Sequence, residues 1–327
     1  RGGVVESYHR GVLAIAGPDG DILLSVGDVS RGIFPRSAIK IFQAIPLIES
    51  GAADAFCFDQ RCLALACASH GGETRHAALA AEMLEACSRS VAALECGAHK
   101  PMNPRATWEL AKAQGEATPL HNNCSGKHAG MIATAVHLGE NPTGYVNADH
   151  PVQKRIRKVL STFTEIGLDC VPCGTDGCSV PTWEVPVDAL ARAMASLASG
   201  RGPGTSHADA GKRLLAACIA EPELTSGTGR ACAEIMHAVK GAAYVKTGAE
   251  GVYCGAVPKA GIGIALKIDD GATRASEVTI AATLAAILPQ YREALAPLVS
   301  RELTNWRGVK TGTVEPSDGL KSALSGF

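Results

Sequence analysis

The chain has no excess of charge of either sign and no long hydrophobic run. Its 31 Lys and Arg residues nearly balance its 32 Asp and Glu residues, which leaves a formal net charge of −1. Without a surplus of positive charge, we expect no nucleic-acid partner and no membrane surface. No apolar run approaches the length that spans a bilayer, and no segment resembles a signal peptide. With 46% hydrophobic and 19% charged residues, the composition is typical of an ordinary globular protein.

Cysteine, by contrast, is abundant, with 12 residues scattered over 327 positions. In a small secreted protein this number would indicate a disulfide framework. Here the chain is large, and Cys62 and Cys67 lie in an apolar segment where a free thiol packs as a small hydrophobic group. We therefore expect a reducing, cytoplasmic environment in which most thiols serve packing and two or three carry chemistry.

Strand patterns occupy the two ends of the chain and helical patterns the middle. A hairpin is predicted over 11–16 and 21–26, and further strands over 243–246, 252–257 and 261–268. Helices are predicted over 37–50, 73–87, 125–138, 187–199, 208–220 and 230–239. Others open at Asn103, which is the predicted N-cap, and at Asp149, and a last helix is capped by Ser276 and runs to about Leu288. This order predicts an α+β fold whose sheet joins both ends, as one domain over 1–327 with a helical subregion at roughly 70–240.

Ser37 precedes Lys40 by three residues, so the two side chains share a face of a helix. A serine becomes a good nucleophile when a base takes its proton, and a lysine with a lowered pKa can be that base. The alternative to a catalytic pair is a surface lysine near a serine that caps a helix. The spacing is common by chance, so the interpretation depends on the other motifs.

Four short polar segments interrupt the regular patterns, and three of them lie at or near helix starts. Free backbone N–H groups at such starts favour anions and developing oxyanions. This arrangement indicates a site gathered from distant loops. The segments are Ser37–Lys40, Cys67–Glu73, His121–His128 and Cys173–Cys178.

Each candidate residue in these segments has a structural alternative. Cys124 and Cys178 are either zinc ligands or buried free thiols, since their spacing matches no standard zinc motif. His70 is either hydrogen-bonded structure or catalyst, and Asp176 either a turn residue or a substrate contact. Lys246, at the end of an apolar strand, is either a base or a charge that reaches solvent.

Taken together, the motifs resemble one family, the rhizobial-type L-asparaginases. The resemblance runs from Arg1 to about Gly312, essentially the whole chain. The segments that carry it, in the family's order, are Ser37–Lys40, Cys67–His70, Asn123–Met131, Asp149–Pro151, Gly174–Cys178 and the strand that ends in Lys246.

The resemblance implies a fold like that of serine β-lactamases and glutaminases, with an antiparallel sheet packed by helices. It also implies a homodimer that hydrolyses L-asparagine to L-aspartate and ammonia. The implied Ser–Lys tandems are Ser37 with Lys40 and Ser69 with Lys246. A metal, usually zinc, is implied at Cys124, Lys127 and Cys178, where it supports substrate binding. The candidate substrate-binding residues are Arg36, His70 and Asp176.

The resulting mechanistic hypothesis is attack by Ser37 on the side-chain amide carbon, with Lys40 as base and an acyl-enzyme intermediate. Ser69 and Lys246 relay protons or orient the substrate, unless the two tandems exchange roles. Three alternatives stay open. A glutaminase differs by one methylene in its substrate. A β-lactamase or penicillin-binding-like acylase is suggested by the string Lys246-Thr247-Gly248. The non-enzymatic alternative is a zinc-stabilised binding protein.

Overall fold

A computed structural model of the protein describes residues 1–201 and 204–327. Five of its strands form one antiparallel sheet, and the other six pair in three two-stranded ribbons. The described strands are β1 (Gly11–Ala16), β2 (Ile22–Val26), β3 (Gly32–Ile33), β4 (Cys173–Thr175), β5 (Pro181–Trp183), β6 (Val185–Pro186), β7 (Tyr244–Thr247), β8 (Val252–Val257), β9 (Ile262–Ile268), β10 (Arg301–Thr304) and β11 (Lys310–Val314). The sheet order is β2-β1-β9-β8-β7. It joins both ends of the chain, as the sequence predicts.

Helices fill most of the chain between the two sets of sheet strands. A 3₁₀ turn over Arg36–Ile39 leads directly into the first of them. The described helices are α1 (Lys40–Glu49), α2 (Ala52–Ala55), α3 (Gln60–Ala66), α4 (Thr74–Ala86), α5 (Pro104–Lys112), α6 (Ser125–His137), α7 (Pro151–Thr164), α8 (Val187–Ser199), α9 (Thr205–Ala220), α10 (Pro222–Thr225), α11 (Ala231–Ala238), α12 (Thr273–Ile287), α13 (Arg292–Val299) and α14 (Asp318–Leu324).

Helices cover both faces of the five-stranded sheet. On one face, the backbone of α8 lies so close to Gly263 of β9 that a Cβ atom there would overlap Ala191 and Ala195. The next residue, Ile264, points to the opposite face. There it lies beside Gly255 of β8, which Ile280 of α12 also approaches. The sheet is therefore the middle layer of the core, and its strand ends can carry side chains between helices.

Most predicted helices and sheet strands lie within a few residues of their observed bounds. Asn103 caps α5 as predicted, because its side chain accepts a hydrogen bond from the N–H of Ala106. The prediction that Ser276 caps the last helix is wrong. Helix α12 begins at Thr273, and the buried Ser276 hydroxyl donates back to the Thr273 carbonyl from inside the helix. Two further helices, α13 and α14, follow it.

All twelve cysteines are free thiols, as predicted, and eight of them are buried. Among the helices of residues 1–201 and 204–327, none combines the length and apolar character that crossing a membrane requires. The glycine-rich run 200–204, for which the sequence predicts a loop, falls between α8 and α9, and residues 202–203 lie outside the described part of the chain.

Candidate active site

Lys40, the first residue of α1, is fully buried and has three hydrogen-bond acceptors around its amine. Its Nζ donates to the Ser69 Oγ at 2.8 Å, to the Cys124 Sγ at 3.0 Å and to the Ala68 carbonyl at 2.5 Å. A lysine ammonium carries three N–H donors, so these acceptors satisfy all of them. Lys40 thus connects the Ser69 segment with the Cys124 segment.

Ser37 lies on the 3₁₀ turn before α1 and is half-buried. Within the described residues, its hydroxyl makes no hydrogen bond. The structure therefore differs from the predicted pairing, because the Lys40 amine points into the core towards Ser69 instead of back along the turn. The turn packs against the end of β7, where a Cβ atom on Gly248 would lie 2.6 Å from the Pro35 carbonyl oxygen.

Ser69 and His70 follow α3 and are held from both sides. The Ser69 N–H donates to the Thr225 carbonyl, and the His70 N–H to the Asn123 carbonyl. The His70 ring is fully buried, with Nδ1 accepting from the Gly72 N–H and Nε2 bonded to the Ser125 hydroxyl. Burial lowers the pKa of His70 well below its usual value. A neutral ring with both nitrogens occupied indicates that His70 positions Ser125 and the loop.

Cys124, Lys127 and Cys178, the metal ligands that the family resemblance implies, lie close together. All three are buried, and the Lys127 Nζ donates to the Cys178 Sγ at 3.0 Å. A hydrogen bond between the two thiols lowers the pKa of Cys124 and raises that of Cys178. Burial alone would lower the pKa of Lys127, but the charges at Cys178 and Cys124 outweigh it and raise that pKa. The cluster therefore combines two thiol sulfurs and one amine nitrogen at close range.

These donors suit a soft or borderline metal such as zinc, which takes sulfur and nitrogen ligands. Zinc bond lengths of about 2.3 Å to sulfur and 2.1 Å to nitrogen place two tetrahedral ligands about 3.6 Å apart. The Lys127 Nζ and Cys178 Sγ are 3.0 Å apart, a hydrogen-bond distance, so the two atoms would have to separate by a few tenths of an ångström to hold zinc between them. In the part of the chain that the structure describes, three or more His, Cys, Asp or Glu residues nowhere group as a metal site. A site here consequently needs the lysine as a ligand.

Arg36 and Asp176 form an ion pair beside this cluster. The Arg36 Nε and Nη2 donate to one oxygen of Asp176 at 2.7 and 2.6 Å, and the Gly177 N–H donates to the same oxygen. Burial raises the pKa of Asp176, but Lys127 and Arg36 outweigh it and lower the pKa overall. The pair joins the Ser37 turn to the segment after β4, so these two substrate-binding candidates contact each other.

Lys246 lies on β7 and is fully buried, like Lys40, but it has almost no hydrogen-bond partners. Within the described residues its Nζ makes one long contact, 3.4 Å to the Thr247 carbonyl. Burial, helped by the nearby charge of Lys40, lowers its pKa to about 7. Lys246 makes no hydrogen bond to Ser69, its predicted partner, in the described structure. Its amine is thus suited to exist as a free base near neutral pH.

Arg230 is a residue that the sequence interpretation missed. It precedes α11, after the small-residue run 226–229, and its Nη1 donates to the Ser69 carbonyl at 3.3 Å. The Glu73 carboxylate accepts hydrogen bonds from the N–H and the hydroxyl of Thr228 and so holds this run beside the Ser69 loop. The glycine-rich string before a helix was the available signal.

Two serines, two buried lysines and a thiol–amine cluster meet where α1, α3 and α6 begin or end beside β7. Serine hydroxyls and buried amines are groups that nucleophilic catalysis can use. The family model of L-asparaginase II matches residues 1–316, and the chain belongs to this family. The family predicted from the motifs is thereby confirmed.

Two crystal structures of Mglu also resemble the chain. Mglu in its native form is 17% identical with a TM-score of 0.44, and the match covers 80% of this chain and 60% of that one. Native Mglu in 4.3 M NaCl is 14% identical with a TM-score of 0.44, and the match covers 88% and 76%. The chain thus spans about 60% of the first structure's length. Of the predicted fold, the structure confirms a mixture of helices and an antiparallel sheet. No curated protein matches the chain.

Proposed function

We propose that this protein hydrolyses L-asparagine to L-aspartate and ammonia through a serine-bound acyl-enzyme. The observation that carries this proposal is the 2.8 Å hydrogen bond from the Lys40 amine to the Ser69 hydroxyl, next to a second fully buried lysine, Lys246. Burying a lysine costs desolvation free energy, so two buried lysines close together indicate a functional site. A nucleophilic serine needs such a basic amine. Family membership supplies the substrate.

Ser37 is the attacking serine in this proposal. A nucleophile must be reached by substrate, and Ser37 is half-buried whereas Ser69 is only 3% exposed. The Ser69 hydroxyl is also already bonded to Lys40. Lys246 is the better base, because a pKa of about 7 leaves its amine neutral above that pH. Lys40 has all three N–H donors bonded and holds the Ser69 hydroxyl in place. Ser69 then serves as a proton relay.

The reaction then proceeds in two halves. The Ser37 Oγ forms a bond to the side-chain amide carbon while its proton passes to the Lys246 amine. The tetrahedral oxyanion is stabilised by the backbone N–H of Ser37 at the start of the helical turn, since the Ser69 N–H is already bonded to Thr225. The proton moves on to the amide nitrogen, the C–N bond breaks, and ammonia leaves. Water, deprotonated by Lys246, then hydrolyses the serine ester and releases L-aspartate.

Cys124, Lys127 and Cys178 are the residues that would hold zinc. When bound there, zinc would supply a positive charge that favours substrate binding. The charge-pairing of Lys127 with the two thiols, and the adjacent Arg36–Asp176 pair, support this assignment. Chelation is expected to raise the KM for asparagine and leave kcat nearly unchanged, and added zinc should reverse the effect. A chelated enzyme with an unchanged KM would contradict the assignment.

The proposal also includes a fold type, a homodimeric assembly and a cytoplasmic location. The five-stranded antiparallel sheet with helices on both faces supports the serine β-lactamase/glutaminase-like type. Exposed apolar side chains such as Val5 and Trp306 support a homodimer, which light scattering would detect. Twelve free thiols support a cytoplasmic location.

Ammonia release from L-asparagine, in Ser37→Ala and Ser69→Ala variants beside the wild type, tests the mechanism. Ser37→Ala should lose nearly all turnover, whereas Ser69→Ala should keep a reduced rate and an acyl-enzyme detectable by mass spectrometry. Ser90→Ala, at an exposed serine, is the control. Near-full turnover by Ser37→Ala would exclude Ser37 as the nucleophile.

A further inference from the structure

Arg230 is a charged side chain beside the reacting groups that the mechanism does not use. Its Nη1 donates to the Ser69 carbonyl at 3.3 Å and contacts the Met102 sulfur at 3.7 Å. It is half-buried. Among the ion pairs of residues 1–201 and 204–327, none includes Arg230, although its charge influences Glu277, which is paired with Arg301. Its guanidinium therefore has five N–H donors but no anionic partner.

The nearest carboxylate that the structure shows beside the Arg230 stem already has a partner. Glu73 lies next to Gly227 and is paired with Arg75, so it leaves the Arg230 guanidinium unpaired within the described residues. The aliphatic stem of Arg230 packs against Gly227, whose φ of +122° suits glycine, so the loop fixes the direction of the side chain. An arginine held in this way loses little further freedom when it binds a planar carboxylate in a bidentate manner.

We infer that Arg230 binds the α-carboxylate of the amino-acid substrate, an inference that rests on the proposed function. In L-asparagine the α-carboxyl carbon and the side-chain amide carbon are three C–C bonds apart, and therefore at most about 4 Å. Arg230 bonds the carbonyl of the residue whose hydroxyl Lys40 holds, so the guanidinium lies about one residue away from the Ser69 hydroxyl. The carboxylate can thus lie on Arg230 while the amide lies between the two serines.

A structural role is the rival explanation, because Arg230 could simply hold the Ser69 carbonyl. The two roles differ in which kinetic constant changes. Loss of a carboxylate contact weakens binding of ligands that have the carboxylate and spares those that lack it. Loss of Ser69 positioning lowers kcat for every substrate.

The experiment measures ammonia release by wild type, Arg230→Gln and Arg230→Lys. It also measures competitive inhibition by 3-aminopropanamide, which keeps the amide and the amine but lacks the carboxylate. For Arg230→Gln we expect the KM for asparagine to rise about 10- to 100-fold, the range of a charge-assisted hydrogen bond, with kcat changed less than about threefold. Its inhibition constant for 3-aminopropanamide should match that of wild type. Arg230→Lys should recover part of the affinity because it keeps the charge but not the fork.

Arg75→Gln is the matched control, because it removes a neighbouring arginine that already has a carboxylate partner. Arg230→Lys keeps the test decisive if Arg230→Gln folds poorly, since an unchanged KM in the folded lysine variant would equally overturn the inference. An unchanged KM in Arg230→Gln, or equal weakening of asparagine and 3-aminopropanamide, overturns the role of Arg230 alone. A wild type that releases no ammonia from asparagine overturns the proposed function, and this inference with it.

Discussion

The two buried lysines of the site are in opposite electrostatic surroundings. Lys40, at the start of α1, has three acceptors within 3.0 Å, among them the Cys124 sulfur, whose pKa is lowered. Lys246, on β7, makes a single hydrogen bond to the described residues, at 3.4 Å, and its pKa falls to about 7. Both side chains are fully buried. Burial alone therefore does not decide the charge of a lysine, and its partners do.

This difference separates two tasks that one lysine cannot perform together. An amine whose N–H groups are all hydrogen-bonded orders its neighbours, whereas a neutral amine with a free lone pair accepts a proton. The charge on Lys40 also helps to lower the pKa of Lys246. The pair is thus a fully hydrogen-bonded positioning lysine next to a base, and each property can be tested separately.

The largest effect is expected on turnover when the base is removed. Lys246→Met should lower kcat by about 10²- to 10⁴-fold, the usual contribution of a positioned general base. The fold should persist, because methionine fills a similar buried volume without an amine to desolvate. Ammonia release under saturating asparagine measures it, and Lys267→Met, on β9, is the control lysine. A Lys246→Met enzyme within tenfold of wild type would assign the base to Lys40.

The next largest effect is expected on stability, where replacing Lys40 should matter more than replacing Lys246. Lys40→Met leaves the Cys124 thiolate and the Ser69 hydroxyl without their shared donor, so it should lower the free energy of unfolding by about 3–5 kcal/mol. Lys246→Met should be neutral or stabilising, since little is hydrogen-bonded to that amine. Urea unfolding at pH 7 compares them. Equal losses would mean that the two lysines are not electrostatically different.

The fold was largely predictable because its signals are local. Alternating strands around a glycine-rich turn and amphipathic helices with caps are set by nearest neighbours, as at Asn103. The small ribbons β3–β6 and β4–β5 were missed because each strand has only two or three residues. Their pairing depends on tertiary contacts that no short pattern encodes. Ser276 was misplaced because a serine can bond backwards inside a helix as well as cap its start.

The site was predictable in its members and less so in its pairings. Cys124, Lys127 and Cys178 lie close together in the structure, and their motifs are distinctive in the sequence. The partner of Lys40 could not be read from spacing, because a long side chain at a helix start can turn into the core instead of along the helix. Arg230 was missed because its significance depends on its contact with the Ser69 carbonyl, which joins segments far apart in the sequence and is seen only in the folded chain.

The pH dependence sharpens the comparison further. Because the pKa of Lys246 is about 7 in the folded state, kcat/KM should fall about tenfold per pH unit below 7 and level off above it. The free energy of unfolding also depends on pH, and it rises with pH. Between about pH 7 and 10.5 the unfolded chain binds a proton that the folded one does not, so raising the pH across this window stabilises the wild type relative to Lys246→Met. A flat activity profile from pH 5.5 to 8 would contradict a basic role.

The smallest effect is expected where the Ser37 turn touches the strand that carries Lys246. A Cβ atom on Gly248 would lie 2.6 Å from the Pro35 carbonyl, so Gly248→Ala must push the turn away from β7 by several tenths of an ångström. Overpacking of this kind costs about 1–3 kcal/mol, and we expect kcat to fall roughly tenfold because the serine moves relative to the base. Gly167→Ala, which has open space around it, is the matched control. If Gly248→Ala lost stability but kept full kcat, then the distance between Ser37 and Lys246 would not limit the reaction, and Ser69, held by Lys40, would become the better nucleophile.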